Sequence, residues 1–362
     1  MNLNIFMQKG IANIMKTAGR FYLNSRKGRA FLARIIPEIT RSAALREENE
    51  KAGCHVPPFL IASIASRCNL SCAGCYARAG GALKDTACGG GLSPADLSAE
   101  EWMAVFAEAA NLGTAFILLA GGEPLMRRDV ITAAASMPSL VFPVFTNGTL
   151  MDGEFLSLFD ENRHLIPVLS LEGNREATDV RRGTGVYAGV ESAMAELKER
   201  RILFGVSVTV TRENMAEVLA ESYTAELRSR GCGIVFFVEY VPAEPGTESL
   251  ALDKAGQEEL QRRTQGLKGR FSDTVILSFS GDEEAMGGCL ASGRGFFHIN
   301  PKGGAEPCPF SPFAKENIKN ASLRDILGSR YFGEIRNLAA GNHTGGCVLF
   351  EKEAEVRAIL AG

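Results

Sequence analysis

No stretch of this chain is apolar for long enough to span a bilayer. Neither charge dominates. Lys and Arg number 39 against 42 Asp and Glu, a net charge of −3 that removes any general case for a nucleic-acid partner. A secretory signal is missing too, so the nine cysteines are expected to stay reduced, in a cytoplasmic setting, and to serve metal or catalysis rather than disulfides. Histidine is scarce, with four residues. His164, His298 and His343, like Cys232, read first as structural, although His298 and His343 lie close in sequence to candidate ligand cysteines. What the chain does have is size: 362 residues, 46% of them hydrophobic, enough for one large domain or two with a substantial core.

The most informative stretch is Cys68-Asn69-Leu70-Ser71-Cys72-Ala73-Gly74-Cys75-Tyr76, directly after an apolar run, residues 59–65, that reads as a buried strand. Three thiolates at this spacing can wrap a cubane iron–sulfur cluster and ligate three of its four irons, leaving one open. A structural zinc site is the competing reading. It would draw a fourth ligand from Cys54, His55 or Cys88, none of which has zinc-knuckle spacing. Further apolar runs at 115–120, 140–145, 166–171, 204–211 and 233–238 read as strands, separated by helical segments such as 190–200 and 216–230. Ser98 and Glu101 form a capping-box start for one such helix. Buried strands alternating with helices argue for a parallel sheet, with its chemistry at the C-terminal strand ends. Glu123, Asn147, Ser170, Glu172, Asn214 and Glu239 fall there. Gly121 and Gly122 sit at the end of the second strand, where glycine lets a ligand come near the backbone, and Glu123 offers a carboxylate to a cationic group.

Flanking segments divide the chain into residues 1–50, 51–241, 242–272 and 273–362. The first carries seven Lys or Arg and no acidic residue before position 37, beside an apolar stripe at helical spacing that includes Ala18, Phe21 and Tyr22. Such a helix packs on the body, lies on an anionic membrane surface, or holds an acidic peptide. Residues 242–246 read as a linker before a helix over 253–267. The last unit opens with an apolar strand at 274–279 and carries Cys289, Gly303 and Cys308 at x13 and x4 spacing around a hairpin, then Cys347.

The cysteine loop resembles the signature of the radical S-adenosylmethionine (radical SAM) superfamily, and the Gly121-Gly122-Glu123-Pro124 turn resembles its methionine-binding turn. Ser170-Leu171-Glu172-Gly173 and the segment from Arg182 to Tyr187 are similar to motifs of the SPASM/twitch branch. The run from Cys289 through Ile335-Arg336 resembles the first half of a SPASM domain, without the closely spaced cysteines of a second cluster. The resemblance implies a partial (β/α)6 barrel with an N-terminal helical extension and a small α+β domain holding one auxiliary cluster on Cys289, Cys308 and Cys347. It implies a [4Fe–4S] cluster on Cys68, Cys72 and Cys75. SAM would be held by Tyr76, Gly121, Gly122, Glu123, Asn147, Ser170, Glu172, Arg182 and Asn214, with Arg182 facing its carboxylate. The family places an aromatic immediately before the third cysteine; here that residue is Gly74 and Tyr76 follows instead. The implied chemistry is reductive cleavage of SAM to a 5′-deoxyadenosyl radical that takes a hydrogen atom from substrate, with electrons from a donor such as flavodoxin or ferredoxin and an anaerobic setting. Modification of a peptide or protein side chain is the favoured task. Tetrapyrrole side-chain modification stands second, and a non-catalytic redox sensor is the contrasting class.

Overall fold

The computed structural model describes residues 13, 14, 16–83, 95–283, 286–340 and 346–362. Cys88 and His343 lie outside them, as does most of the glycine-rich stretch that follows the cysteine loop. Strands β1 (Phe59–Ala65), β2 (Phe116–Gly121), β3 (Phe142–Thr146), β4 (Leu165–Leu171), β5 (Gly205–Val210) and β6 (Ile234–Glu239) pair in parallel in chain order, each step crossing through helix. The chain is thus a mixed α/β protein built on a parallel sheet. The first crossover helix, Ala99–Leu112, starts at the expected capping box. Ser98 Oγ accepts from the Glu101 amide at 3.2 Å, and the Ser98 amide donates to Glu101 Oε2 at 2.8 Å.

Four further strands extend this sheet. β7 (Val275–Phe279), read from sequence as the opening of the C-terminal unit, instead pairs in parallel with β6 from Ile234 opposite Val275 onward. β8 (Phe296–Ile299) pairs in parallel with β1, and the antiparallel strands β9 (Gly304–Glu306) and β10 (Glu316–Asn317) follow. The cysteine-bearing hairpin therefore continues the sheet beside the strand that feeds the Cys68 loop.

Strand side chains alternate between two buried layers. Leu60, Ala62 and Ile64 pack with helix residues such as Trp102, Val105 and Phe106. On the opposite face Phe116, Leu118, Ile166, Val168 and Phe236 meet Tyr22, Phe31, Leu32 and Ile35 from the N-terminal segment. Tyr22 is fully buried and its hydroxyl accepts from the Leu203 amide at 3.2 Å. The basic side chains there face partners on the body: Arg20 pairs with Asp273 at 2.9 Å, and Lys27 pairs with Asp160. Of the three roles weighed for this extension, packing on the body is the one its described residues adopt. Among the described residues no helix is long and apolar enough to cross a membrane.

Candidate active site

The cysteine loop leaves β1 and is anchored to four strand ends. From β2, the Gly122 amide donates to Ala65 O at 2.8 Å and the Glu123 amide to Arg67 O at 2.9 Å. Gly121 has φ +122°, and a Cβ on Gly122 would collide with the carbonyl of Arg67. The two glycines thus serve first the approach of one backbone to another, where the sequence had offered only a ligand. From β3, Asn147 Nδ2 donates to Asn69 Oδ1 at 2.9 Å, and Asn69 Nδ2 donates to Thr149 Oγ1 at 2.8 Å. From the helix after β4 (Arg175–Arg182), Arg181 O accepts the Ala73 amide at 2.9 Å and its Nε donates to Ala73 O at 3.2 Å. From beyond β6, Glu244 Oε2 accepts the Gly74 amide at 2.8 Å.

Gly74 has φ +65°, and any Cβ there would run into the ring of Tyr240 at the end of β6. The position where the family carries an aromatic on the loop is filled here by a ring from another strand. Tyr76 is half-buried and packs against Phe310, ring centroids 4.8 Å apart.

Two carboxylates organise the floor of the site. Glu123 is 1% exposed and holds the turn after β3: it accepts from Thr146 Oγ1 at 2.7 Å, the Asn147 amide at 2.8 Å and the Leu125 amide at 2.9 Å. Burial pushes its carboxyl group up, against these three donors. Glu172 is 2% exposed and its Oε1 accepts from Arg181 at 2.6 Å and Arg182 at 2.5 Å, while Oε2 is buried without a hydrogen-bond partner among the described residues. One carboxylate against two guanidiniums leaves a surplus positive charge. Burial raises the Cys72 thiol, and Arg182 and Arg181 pull it back down; Cys68 is raised by burial to about 11. Burial alone would lower Arg182, but Glu172 and the thiols of Cys72 and Cys75 outweigh it and hold it up. Ser170 is half-buried on β4, opposite Ser207 of β5. Asn214, expected at the ribose, commits its amide within the protein: Nδ2 donates to Glu172 O and Thr209 O, both at 2.9 Å, and Oδ1 accepts from the Thr211 amide at 2.8 Å.

These residues fit the cluster that the loop spacing calls for. Among the described residues no three His, Cys, Asp or Glu side chains are grouped to hold one metal ion. A cubane asks for something else, three thiolates each on its own iron, and the loop offers three thiols, with Arg182 and Arg181 favouring the ionised form of Cys72.

The C-terminal cysteines also converge. Cys289 and Cys308 are each 6% exposed, the Ser292 amide donates to Pro307 O at 2.9 Å, and Cys347 starts the short helix Val348–Glu351. Burial raises all three thiols, Cys347 to about 12; Cys289 feels the charge of Cys347, and Cys308 that of Cys347 and Cys289. Glu283, which the sequence reading missed, lies among them, its carboxyl group pushed up to about 7 by burial. His298 is not free to join them. Its Nδ1 bonds Glu306 and its Nε2 bonds Ser63, both at 2.7 Å, all three residues buried. Cys54 packs instead in the main core at the end of the helix Arg26–Lys51. His164 and Cys232 are structural as read, bonded to Ala134 O at 3.2 Å and Ile234 O at 3.1 Å.

Ser63, His298 and Glu306 line a small pocket together with Tyr76 and Gly121. It lies between the cysteine loop and the C-terminal hairpin. Nothing in the sequence foreshadowed this hydrogen-bonded trio, because its members come from strands over 200 residues apart.

The family model described as the Radical SAM superfamily matches residues 62–220. Similar proteins include the Fe-coproporphyrin III synthase of Methanosarcina barkeri, 32% identical over 166 residues that cover 45% of this chain and 39% of that protein. The AdoMet-dependent heme synthase of the same organism is 26% identical over 309 residues, covering 77% of this chain and 85% of that one. PqqA peptide cyclase of Rhizobium meliloti is 28% identical over 290 residues, covering 75% and 74%. Among solved structures, Streptococcus suis SuiB bound to S-adenosylmethionine superposes with a TM-score of 0.66 over 86% of this chain and 78% of that one, at 16% identity, which speaks for the fold. Cysteine loop, parallel sheet and the family match over residues 62–220 together make this chain similar to the radical SAM superfamily.

Proposed function

We propose that this enzyme cleaves SAM reductively at Cys68, Cys72 and Cys75 and uses the resulting radical to modify a peptide or protein side chain. A [4Fe–4S] cluster on the three thiolates supplies the electron that splits SAM. The chain's own residues orient the reactants. The surplus cation of Arg181 and Arg182 over Glu172 suits the SAM carboxylate, which Arg182 can pair with in a planar fork. Glu123, with one carboxylate lone pair still uncommitted, suits the SAM ammonium. Tyr240, stacked under Arg181 at 5.9 Å and pressed on Gly74, closes the loop where the family uses its own aromatic.

The cavity carries the choice of substrate. Among the described residues that line it none is lysine or arginine, and its one ionisable acid is Glu306. A tetrapyrrole bears several carboxylates, and such a wall would leave them desolvated and unpaired. A neutral peptide side chain meets no such penalty, and peptide-modifying relatives support the same choice. The basic N-terminal segment does not add to it, since its described part packs on the barrel. The heme-pathway relatives favour the second reading, tetrapyrrole modification. Cys289, Cys308 and Cys347 would hold one auxiliary cluster near this cavity, and an external flavodoxin or ferredoxin would deliver electrons.

The test is product analysis with the anaerobically reconstituted enzyme. Short peptides encoded beside its gene and porphyrin carboxylates are offered separately. A peptide mass change matched mole for mole by 5′-deoxyadenosine is expected; a matched change in the porphyrin instead overturns the peptide reading.

A further inference from the structure

Ser63, His298 and Glu306 form an unbroken hydrogen-bonded chain on one face of the sheet. His298 stands opposite Ile61 of β1 and opposite Glu306 of β9, and Ser63 lies two residues beyond Ile61, so the three side chains share that face. The wall around them is apolar: Ile61, Leu118 and Phe236 belong to the cluster that packs on Tyr22. Polar groups buried in such a wall are costly unless each is hydrogen-bonded, and here each is.

The chain of bonds fixes its own proton positions. Glu306 Oε1 accepts from Asn300 Nδ2 at 2.6 Å, and Oε2 faces His298 Nδ1 at 2.7 Å. A carboxylate only accepts, so Nδ1 carries the ring proton. In the neutral ring Nε2 is then the acceptor, and Ser63 donates its hydroxyl proton to it over 2.7 Å. With that proton committed, Ser63 Oγ offers lone pairs to the pocket it lines. The pocket therefore asks for a hydrogen-bond donor. Among its other described walls Tyr76 is the one titratable group, and the rest are glycine, alanine, leucine and proline.

We propose that Ser63 and His298 accept a proton from the substrate, from a hydroxyl or thiol group held in this pocket. The substrate's O–H or S–H bond breaks, its proton goes to Ser63 Oγ, and the proton of Ser63 passes to His298 Nε2. The imidazolium so formed is paired with Glu306 at 2.7 Å, and no electron moves in the step. Ser63 touches the substrate, while His298 and Glu306 are positioning residues that act through it. Assigning the proton's source to a peptide side chain rests on the function proposed above; the acceptor itself does not.

The experiment needs no substrate. In the full, reconstituted chain Ser63→Cys puts a thiol in the serine's place, and iodoacetamide labelling at that position is followed by mass spectrometry as a function of pH. A thiol that yields its proton to His298 reacts as a thiolate below the ordinary thiol pKa of about 8.5. Adding His298→Gln should slow labelling at neutral pH roughly tenfold and move the profile back toward that of an ordinary thiol. Equal rates and a shared midpoint with and without His298 overturn the proposal, as does a folded Ser63→Cys chain that is not labelled at any pH. NMR of isotope-labelled histidine in the parent gives a second reading that needs no Ser63 variant. The His298 resonances, assigned by their loss in His298→Gln, should show a neutral ring protonated on Nδ1 at neutral pH. A proton on Nε2 under those conditions overturns the proposal. A modified peptide without the pH effect at position 63 removes this inference and keeps the function; the pH effect without a modified peptide does the reverse.

Discussion

Gly74 shows how closely the loop is fitted to its surroundings. Its φ of +65° and the ring of Tyr240 both exclude a side chain. Gly74→Ala should therefore lower cluster incorporation, read as iron bound after reconstitution, and adding Tyr240→Ala should recover part of the loss by removing the collision. No recovery in the double variant would mean that backbone strain alone sets the requirement. Glu123→Gln turns an acceptor of three hydrogen bonds into a group that must present an NH2 to at least one donor. Leaving such a donor unsatisfied costs about 1–3 kcal/mol, so a lower Tm is expected together with weaker SAM binding. Lower Tm with an unchanged SAM dissociation constant would make Glu123 a brace for the β3 turn only. Short spacing or a strand end singles out Cys68, Cys72, Cys75, Glu123 and Glu172 in the sequence, and Arg182 is singled out by resemblance alone. Arg181, Tyr240, Glu283 and the Ser63–His298–Glu306 trio were not legible there, since their partners come from distant segments and local pattern carries no trace of that contact. Asn214 was legible as a strand-end residue but not in its bonding, which ties β4 to the turn after β5.

Among the elements, the N-terminal segment changed most between sequence and structure. Its apolar stripe was plain, but periodicity cannot say whether such a stripe meets a membrane, a peptide or the protein's own sheet. Here it meets the sheet: Ile35 and Tyr22 are 0% exposed. Ile35→Ala should cost about 2–5 kcal/mol by cavity formation, and removal of residues 1–36 should yield a chain that is poorly folded rather than one merely slower to bind substrate. A soluble truncation with an unchanged Tm would restore the peptide-holding or membrane role. The segment is also tied down by charge. Asp273 accepts from Arg228 at 2.6 Å and pairs with Arg20, and its carboxyl group is held down at about 2, first by Arg228 and then by Arg20, against a usual 3.8. A depressed acid stabilises the fold above its unfolded pKa and loses that contribution as pH falls toward the folded one. Asp273→Asn should thus lower Tm at neutral pH, and the gap from the parent should close between about pH 4 and pH 2. A gap independent of pH would assign the effect to packing.

For the molecule as a whole, the alternation of apolar strands and helices was enough to read a parallel sheet, because strands covered by helices on one side and core on the other must be apolar throughout. Where the sheet ends was not legible. β7 and β8 look like the start and middle of a separate unit, since short apolar runs do not name their neighbours. They in fact continue the sheet on either side of the six. That continuity matters to the site, because pairing of β8 with β1 is what brings His298 to Ser63 in the pocket. Everything proposed for the site depends on one reaction. The most direct measurement is 5′-deoxyadenosine formation from SAM under dithionite by the anaerobically reconstituted protein, beside the variant with Cys68, Cys72 and Cys75 all replaced by Ala. The parent should form it together with methionine in equal amount, and the folded variant should form none. Equal formation by both proteins, or none by a parent that carries its full complement of iron, would contradict the assignment of the catalytic centre to these three thiolates.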